Sequence, residues 1–344
     1  MKNYKIIIDA MGGDNAPECI IDGLFEAFKE RDGFSAVLTG KQDILEPLLK
    51  DKGFSDRYEI VNTTEVIEMA ESPVTAVRRK KDSSMVVGMQ MLREKKGDAF
   101  ITAGSTGAAI AGGQLVVKRI KGVERAALCP FLPTLKGRSL LIDCGANVDC
   151  RAEQLLQFAK MGDIYLKSCI GIENPTVGLI NNGAEEEKGC ALTKQAYTLL
   201  KDSDVNFIGN VEARDVMEGA ADILVCDGFV GNVLMKSLEG TAKAIMKMLK
   251  NELMSTTRTK IGAALAKPAF KRVAKAMDYR EYGGSLLIGV DGIVVKTHGS
   301  SDAFTIKNTV FQALDYLNSD VIEKLKAEIS KAEDKKNEAD DIRQ

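Results

Sequence analysis

Short runs rich in Val and Ile, most of them followed by a Gly or Asn loop and then a helical pattern, recur along most of this chain. The runs fall at 5–9, 36–39, 58–61, 98–103, 139–143, 177–181, 205–208 and 223–226. After Asp9, Asp143, Asn181 and Asp227 the loop opens directly into an amphipathic helix. This alternation predicts an α/β fold of three layers, a mostly parallel sheet with helices on both faces. A further pair, 286–290 and 293–297, flanks Asp291-Gly292, so one antiparallel hairpin is expected. In sheets of this kind ligands sit where strand C-termini face helix N-termini, which turns attention to the loops.

Two of those loops share a chemistry. Gly104-Ser105-Thr106-Gly107 follows the strand at 98–103 and opens an apolar helix. His298-Gly299-Ser300-Ser301 follows the strand at 293–297 and leads toward a helix running to about Leu317. Small residues let backbone approach a ligand closely, and free N–H groups with hydroxyls suit a phosphate or another small anion. Ser and Thr also cap helices that hold no ligand, so either loop alone supports both readings.

The sequence excludes several common chemistries. No Gly-x-Gly-x-x-Gly dinucleotide fingerprint, Gly-x-x-x-x-Gly-Lys loop or Gly-x-Ser-x-Gly elbow occurs. His298 is the only histidine, so a multi-histidine metal site is excluded; no metal and no cofactor are expected. The seven cysteines are scattered without a C-x-x-C pair, as in a reduced cytosolic protein. The net charge of −2 gives no reason to expect nucleic acid as a partner. No signal peptide is read at the start, because Ile6-Ile7-Ile8 stops at Asp9. The longest uncharged stretch, 99–117, is broken by glycines and reads as strand, loop and buried helix rather than a membrane span.

Polar residues collect at the expected strand ends. Asp9 and Asp14 flank Gly12-Gly13, and Asp143 and Asn147 flank Gly145. A cap is favoured for Asp143, whereas Asp9 and Asp14 stay open between caps and ligand contacts. Lys188 is suited to neutralising a bound phosphate or to pairing with Glu185–Glu187 beside it. Asn232 is suited to donating to a carbonyl oxygen as it becomes an oxyanion, or to a turn. His298 reads as a site residue, either base or orienting donor.

One segment breaks the charge balance. Between 236 and 280 stand eleven Lys/Arg against three acidic residues, a net of +8 that leaves −10 on the rest. Within it Ile261, Ala264, Leu265, Ala269, Phe270 and Val273 recur at near-helical spacing, with Lys267, Lys271 and Arg272 among them. Two readings compete: a basic helix packed through its apolar stripe, and an amphipathic surface for anionic lipid or an acidic carrier. The chain is expected to form one α/β domain over 1–330, with a flexible tail at 331–344 that mixes both charges.

Five stretches in one order carry a resemblance. They are Asp9-Ala10-Met11-Gly12-Gly13-Asp14, Thr102-Ala103-Gly104-Ser105-Thr106-Gly107-Ala108, Asp143-Cys144-Gly145-Ala146-Asn147, Cys226-Asp227-Gly228-Phe229-Val230-Gly231-Asn232-Val233, and Tyr282-Gly283-Gly284 with His298-Gly299-Ser300. Over about residues 4–318 the sequence resembles the bacterial phosphate acyltransferases, also called acyl-carrier-protein phosphate transacylases. The resemblance implies a fold similar to isocitrate and isopropylmalate dehydrogenases and to phosphotransacetylases. It also implies a cytosolic homodimer at the inner face of the membrane that moves a long-chain acyl group from acyl carrier protein to inorganic phosphate. On that reading Lys188, Asn232 and His298 are the catalytic candidates, and Gly104, Ser105, Thr106, Gly107 and Ser300 hold phosphate. Asp9, Asp14 and Asn147 are further loop candidates, and Leu265, Lys267, Phe270, Lys271 and Arg272 meet membrane or carrier protein. Two alternatives remain, a phosphotransacetylase-like enzyme using an acyl-CoA donor and a non-catalytic scaffold between carrier and membrane.

Overall fold

The computed structural model describes residues 3–342, with side chains at all of these except 279 and 332–342. Its strands are β1 (Tyr4–Asp9), β2 (Phe34–Gly40), β3 (Tyr58–Asn62), β4 (Ala99–Thr102), β5 (Ala127–Cys129), β6 (Phe131–Thr134), β7 (Gly137–Ile142), β8 (Thr176–Asn181), β9 (Asn206–Glu212), β10 (Ile223–Val225), β11 (Ser285–Ile288) and β12 (Ile293–Lys296). The α-helices are α1 (Glu18–Glu30), α2 (Gln42–Leu49), α3 (Pro73–Arg79), α4 (Ser84–Arg93), α5 (Thr106–Gly112), α6 (Ala152–Tyr165), α7 (Ala191–Lys201), α8 (Gly228–Leu253), α9 (Thr257–Ala276), α10 (Ala303–Asn318) and α11 (Val321–Ile342).

The strands form two sheets where the sequence suggests one. The first has seven strands in the order β3-β2-β1-β4-β12-β11-β5, and the second has five in the order β6-β7-β10-β8-β9. Both are mostly parallel, with helices packed on them, as the alternation predicts. The expected hairpin is present, β11 pairing antiparallel with β12 through Leu286↔Val295. A second hairpin, β6–β7, is an addition, paired through Phe131↔Leu140. Between β5 and β6 stands Pro130, which has no N–H to continue a ladder, and here the chain leaves the first sheet for the second. It returns after the paired helices α8 and α9, which precede β11.

The apolar runs are buried because both faces of each sheet are covered. Ile6, Ile7 and Ile8 of β1, Val294 and Val295 of β12, and Leu140, Leu141 and Ile142 of β7 are all sealed from solvent. One hydrophobic cluster reaches from Ile8, Leu24 and Phe28 through Leu286 and Val295 to Leu140, Phe158 and Leu179, so it joins the two sheets. Helix α1 shows how sequence spacing makes such a layer. Ile20, Ile21, Leu24, Phe25 and Phe28 form its buried stripe. Gly23 lets α10 pack against it, since a Cβ there would stand 2.5 Å from the Ala303 carbonyl oxygen. Helix α11 carries the mixed-charge stretch from 331 onward as helix, and 343–344 of the expected tail lie outside the described residues.

Candidate active site

Register places three loops together. Ile8 of β1 pairs with Ile101 of β4, and Thr102 at the end of β4 pairs with Lys296 at the end of β12. Asp9, Thr102 and Lys296 therefore form a row across three neighbouring strand ends. The Thr102 hydroxyl donates to Asp9 Oδ2 at 2.7 Å, and Gly104 N–H donates to Thr102 Oγ1 at 2.9 Å. Asp14 N–H donates to the Gly299 carbonyl at 2.7 Å, tying the first loop to the third. Glycine is required at position 13, where φ is +113° and a Cβ would meet Ala103 Cβ at 2.9 Å. Burial drives the Asp9 carboxyl above its ordinary range, against the hydrogen bonds it accepts from Ser84 and Thr102. Its place is structural, holding the loops that surround the cavity.

The second sheet presents a matching set. Asp143, at the end of β7, is buried and accepts from the backbone N–H of Leu128 (2.9 Å), Ala146 (3.2 Å) and Asn147 (2.6 Å) and from Asn147 Nδ2 (3.0 Å). It is not the helix cap expected of it, because α6 begins later, at Ala152. Asn147 is buried too, its side-chain amide donating to the Ala126 carbonyl at 2.8 Å. Against this clamp stands the first turn of α8, capped by Asp227, whose side chain accepts from Val230 N–H at 2.9 Å. Gly228 makes the approach possible, since a Cβ there would lie 2.7 Å from Asp143 Oδ2. Asn232 is thereby held against Gly145, its Nδ2 within 3.8 Å of where a Cβ of that glycine would stand.

Between the two sheets lies a cavity of about 740 Å³. One region of its lining is polar, with Asp14, Thr106, Gly107, Asn232, Lys296 and His298. The rest comes from distant parts of the chain and sets apolar residues, including Leu128, Phe131, Met217, Leu238, Met246 and Met277, beside the charged Lys236, Glu239, Lys243, Asp278 and Arg280. A polar centre that opens on an apolar trough can hold a charged reactant beside a long hydrocarbon.

The expected site residues divide accordingly. Asn232, His298, Thr106, Gly107 and Asp14 line the cavity. Ser105 is buried and caps α5, accepting from Ala108 N–H at 3.4 Å, and Gly104 is buried behind it. Asp9 and Asn147 support the loops from within and are not part of the lining. Lys188 lies on an exposed loop after β8 and outside the lining, and its ammonium has no ion-pair partner among the described residues.

The third loop differs from the helix start read in the sequence. Helix α10 begins only at Ala303, because Asp302 caps it through Thr305 N–H at 2.9 Å. Ser300 is thus a loop residue, its hydroxyl 2.8 Å from His298 Nδ1 and its N–H donating to the same nitrogen at 3.2 Å. Because a backbone N–H can only donate, Nδ1 is an acceptor and the neutral ring carries its proton on Nε2. His298 is accordingly built as an N–H donor.

Lys296 was not singled out in the sequence. It is 6 % exposed and lines the cavity, and among the described residues it is the only buried cation, alongside buried Asp9 and Asp143. Burial lowers its pKa from 10.5 to about 8, against the opposing pull of Asp9 and Asp14. A lysine closing the apolar run Ile293-Val294-Val295 was the available signal, hidden because the run reads simply as a strand.

Comparison with known proteins agrees with this architecture. Solved structures with this fold include a phosphotransacetylase from Streptococcus pyogenes, 17% identical, covering 92% of this chain and 94% of that one with a TM-score of 0.58. A 4-hydroxythreonine-4-phosphate dehydrogenase from Klebsiella pneumoniae is also similar, at 12% identity, 92% and 100% coverage and a TM-score of 0.54. A family model described as "Fatty acid synthesis protein" matches residues 4–324. Proteins named phosphate acyltransferase are far closer in sequence. That of Clostridium novyi is 49% identical over 94% of this chain and 98% of its own, and that of Clostridium botulinum (strain Loch Maree) is 50% identical over 93% and 96%. These findings define an acyltransferase built on a phosphotransacetylase-like α/β fold. The chain belongs to the phosphate acyltransferase family.

Proposed function

We propose that this enzyme transfers a long-chain acyl group from acyl carrier protein to inorganic phosphate, giving an acyl phosphate for phospholipid synthesis. The observation that carries the reading is a cavity lined both by Thr106, Gly107, Asn232 and His298 and by Leu128, Leu238 and Met246. A phosphate oxygen attacks the thioester carbonyl carbon, forming an O–C bond. The C–S bond then breaks, and its electron pair leaves with the carrier's thiolate. Since a thiolate leaves readily, no covalent enzyme intermediate is needed, and positioning plus charge stabilisation supply the acceleration. The Thr106–Gly107 turn and the Nε2–H of His298 hold phosphate, and Lys188, on the exposed loop after β8, would have to approach the cavity to add its charge. Asn232 Nδ2 donates to the carbonyl oxygen as negative charge develops there.

The exposed arm supports a membrane role for the same enzyme. On α9, Leu265 is 80% exposed, and Ile261 and Val273 also face solvent, among Lys267, Lys271 and Arg272. Such a stripe suits an anionic bilayer surface, with the enzyme attached peripherally at the inner face and acting as a homodimer. No helix among the described residues is long and apolar enough to cross a membrane.

The test incubates purified protein with palmitoyl-acyl carrier protein, with and without inorganic phosphate, and traps acyl phosphate as its hydroxamate. Phosphate-dependent hydroxamate with release of free carrier is the expected result. Product from acetyl-CoA but none from the carrier thioester would replace this reading with a short-chain phosphotransacetylase. Silence with both donors would overturn transfer altogether.

A further inference from the structure

We propose that Lys296 is the inner cation of the anion site, donating from its ammonium to the phosphate that lies between the Thr106–Gly107 turn and His298. The proposal rests on the acyl-to-phosphate reading for the identity of the anion, and on geometry for the rest. An ammonium carries three donors. Lys296 Nζ donates to the Ala103 carbonyl at 3.4 Å and to the Thr297 carbonyl, which leaves one donor without a partner among the described residues. Among the described residues no carboxylate forms an ion pair with it, although the charges of Asp9 and Asp14 act on it through space. A charge removed from water without a counter-ion is costly, and a fold that needed only a tie between two loops would be served by a neutral side chain. Here the unpaired cation instead borders the cavity beside the other anion-binding candidates.

Its two carbonyl contacts explain why the charge sits where it does. The Ala103 carbonyl immediately precedes the Gly104–Gly107 loop, and Thr297 immediately precedes His298. Lys296 therefore spans the roots of both loops, with its position fixed by the β4–β12 register. An incoming phosphate supplies the missing counter-charge. The Lys296 charge in turn offsets the repulsion that phosphate would feel from Asp14, which borders the same cavity.

The test compares wild type with Lys296→Met and Lys296→Arg in two measurements, calorimetric titration with inorganic phosphate alone and the hydroxamate assay at varied phosphate. Loss of one charge-assisted hydrogen bond predicts phosphate binding and phosphate KM weakened by roughly 10- to 100-fold in Lys296→Met, with the carrier thioester KM unchanged. Lys296→Arg, which keeps the charge, restores part of the loss. Wild-type phosphate affinity in Lys296→Met would overturn the proposal while leaving acyl transfer intact. Failure of wild type to form acyl phosphate would overturn the function instead, and the phosphate titration would still report on Lys296. Should Lys296→Met not fold, reductive methylation of wild type decides the matter through peptide mass spectrometry. Inorganic phosphate is expected to slow methylation of Lys296 several-fold, and an unprotected Lys296 would refute its contact with the anion.

Discussion

Holding a positive charge at the end of β12 costs the fold stability, and the cost has a definite pH signature. The Lys296 pKa lies at about 8 against 10.5 for an ordinary lysine, because burial outweighs the attraction of Asp9 and Asp14. Below pH 8 both folded and unfolded chains carry the proton, and the full burial cost is felt. Between 8 and 10.5 the folded chain releases it first, so the unfolded state binds more protons and stability rises with pH from this group. The difference corresponds to an upper bound of about 3 kcal/mol. Lys296→Met is therefore expected to be more stable than wild type at pH 7 in urea unfolding, with the gap closing toward pH 10. A less stable variant at pH 7 would make Lys296 a structural tie. Asn232 sits at the opposite balance, half-buried against Gly145 and with its amide committed to no partner among the described residues. Asn232→Ala should fold normally and lose on the order of 100-fold in kcat with phosphate KM unchanged. An unaltered kcat would remove it from the oxyanion. Asn232 and His298 were legible as residues because Asn and His in Gly-rich strand-end loops are chemically conspicuous. Lys296 was not, since its chemistry comes from burial and from β4 pairing beside β12, and neither is written in the local sequence.

At the scale of elements, the eight strand runs and the Asp-Gly hairpin read directly, because hydrophobic periodicity and turn chemistry are local. The strands β5 and β6 did not. Each has no more than four residues, Pro130 separates them and Pro133 lies within the second, so neither shows the run that marks a strand. The second anion loop was misread for a related reason. Ser300 and Ser301 resemble caps, but Asp302 takes that role and ties the loop to the end of the basic arm through Arg280 Nη1 at 2.7 Å. The arm itself had two sequence readings, a basic helix packed through its apolar stripe and an exposed amphipathic surface. Ala263 is the only buried residue of α9, so its apolar stripe is not packed on the body. Leu265→Glu is expected to weaken binding to anionic vesicles at least tenfold in a flotation assay while acyl phosphate formation from soluble substrates continues. Unchanged flotation, with the variant sedimenting as a smaller species than wild type, would assign the stripe to a contact between copies of the chain.

Across the whole molecule, the cavity depends on the division into two sheets, which no local pattern announces. Pro130 and the α8–α9 arm are the two crossings, and the cavity gathers residues from both sides of them: Leu128 and Lys296 from the first sheet, Phe131 and the α8 turn at Asn232 from the second. The polar region is set by strand ends, whereas the apolar trough is set by how α8 lies across the gap. Ala242, half-buried on α8, borders that trough. Since close-packed interiors do not absorb added bulk freely, Ala242→Phe should shorten the space available to hydrocarbon without touching Thr106, Asn232 or His298. Turnover of palmitoyl-acyl carrier protein should then fall at least tenfold relative to octanoyl-acyl carrier protein, with phosphate KM the same for both donors. Equal losses for the two chain lengths would mean that the acyl group lies elsewhere, and the trough along α8 would have to be given another occupant.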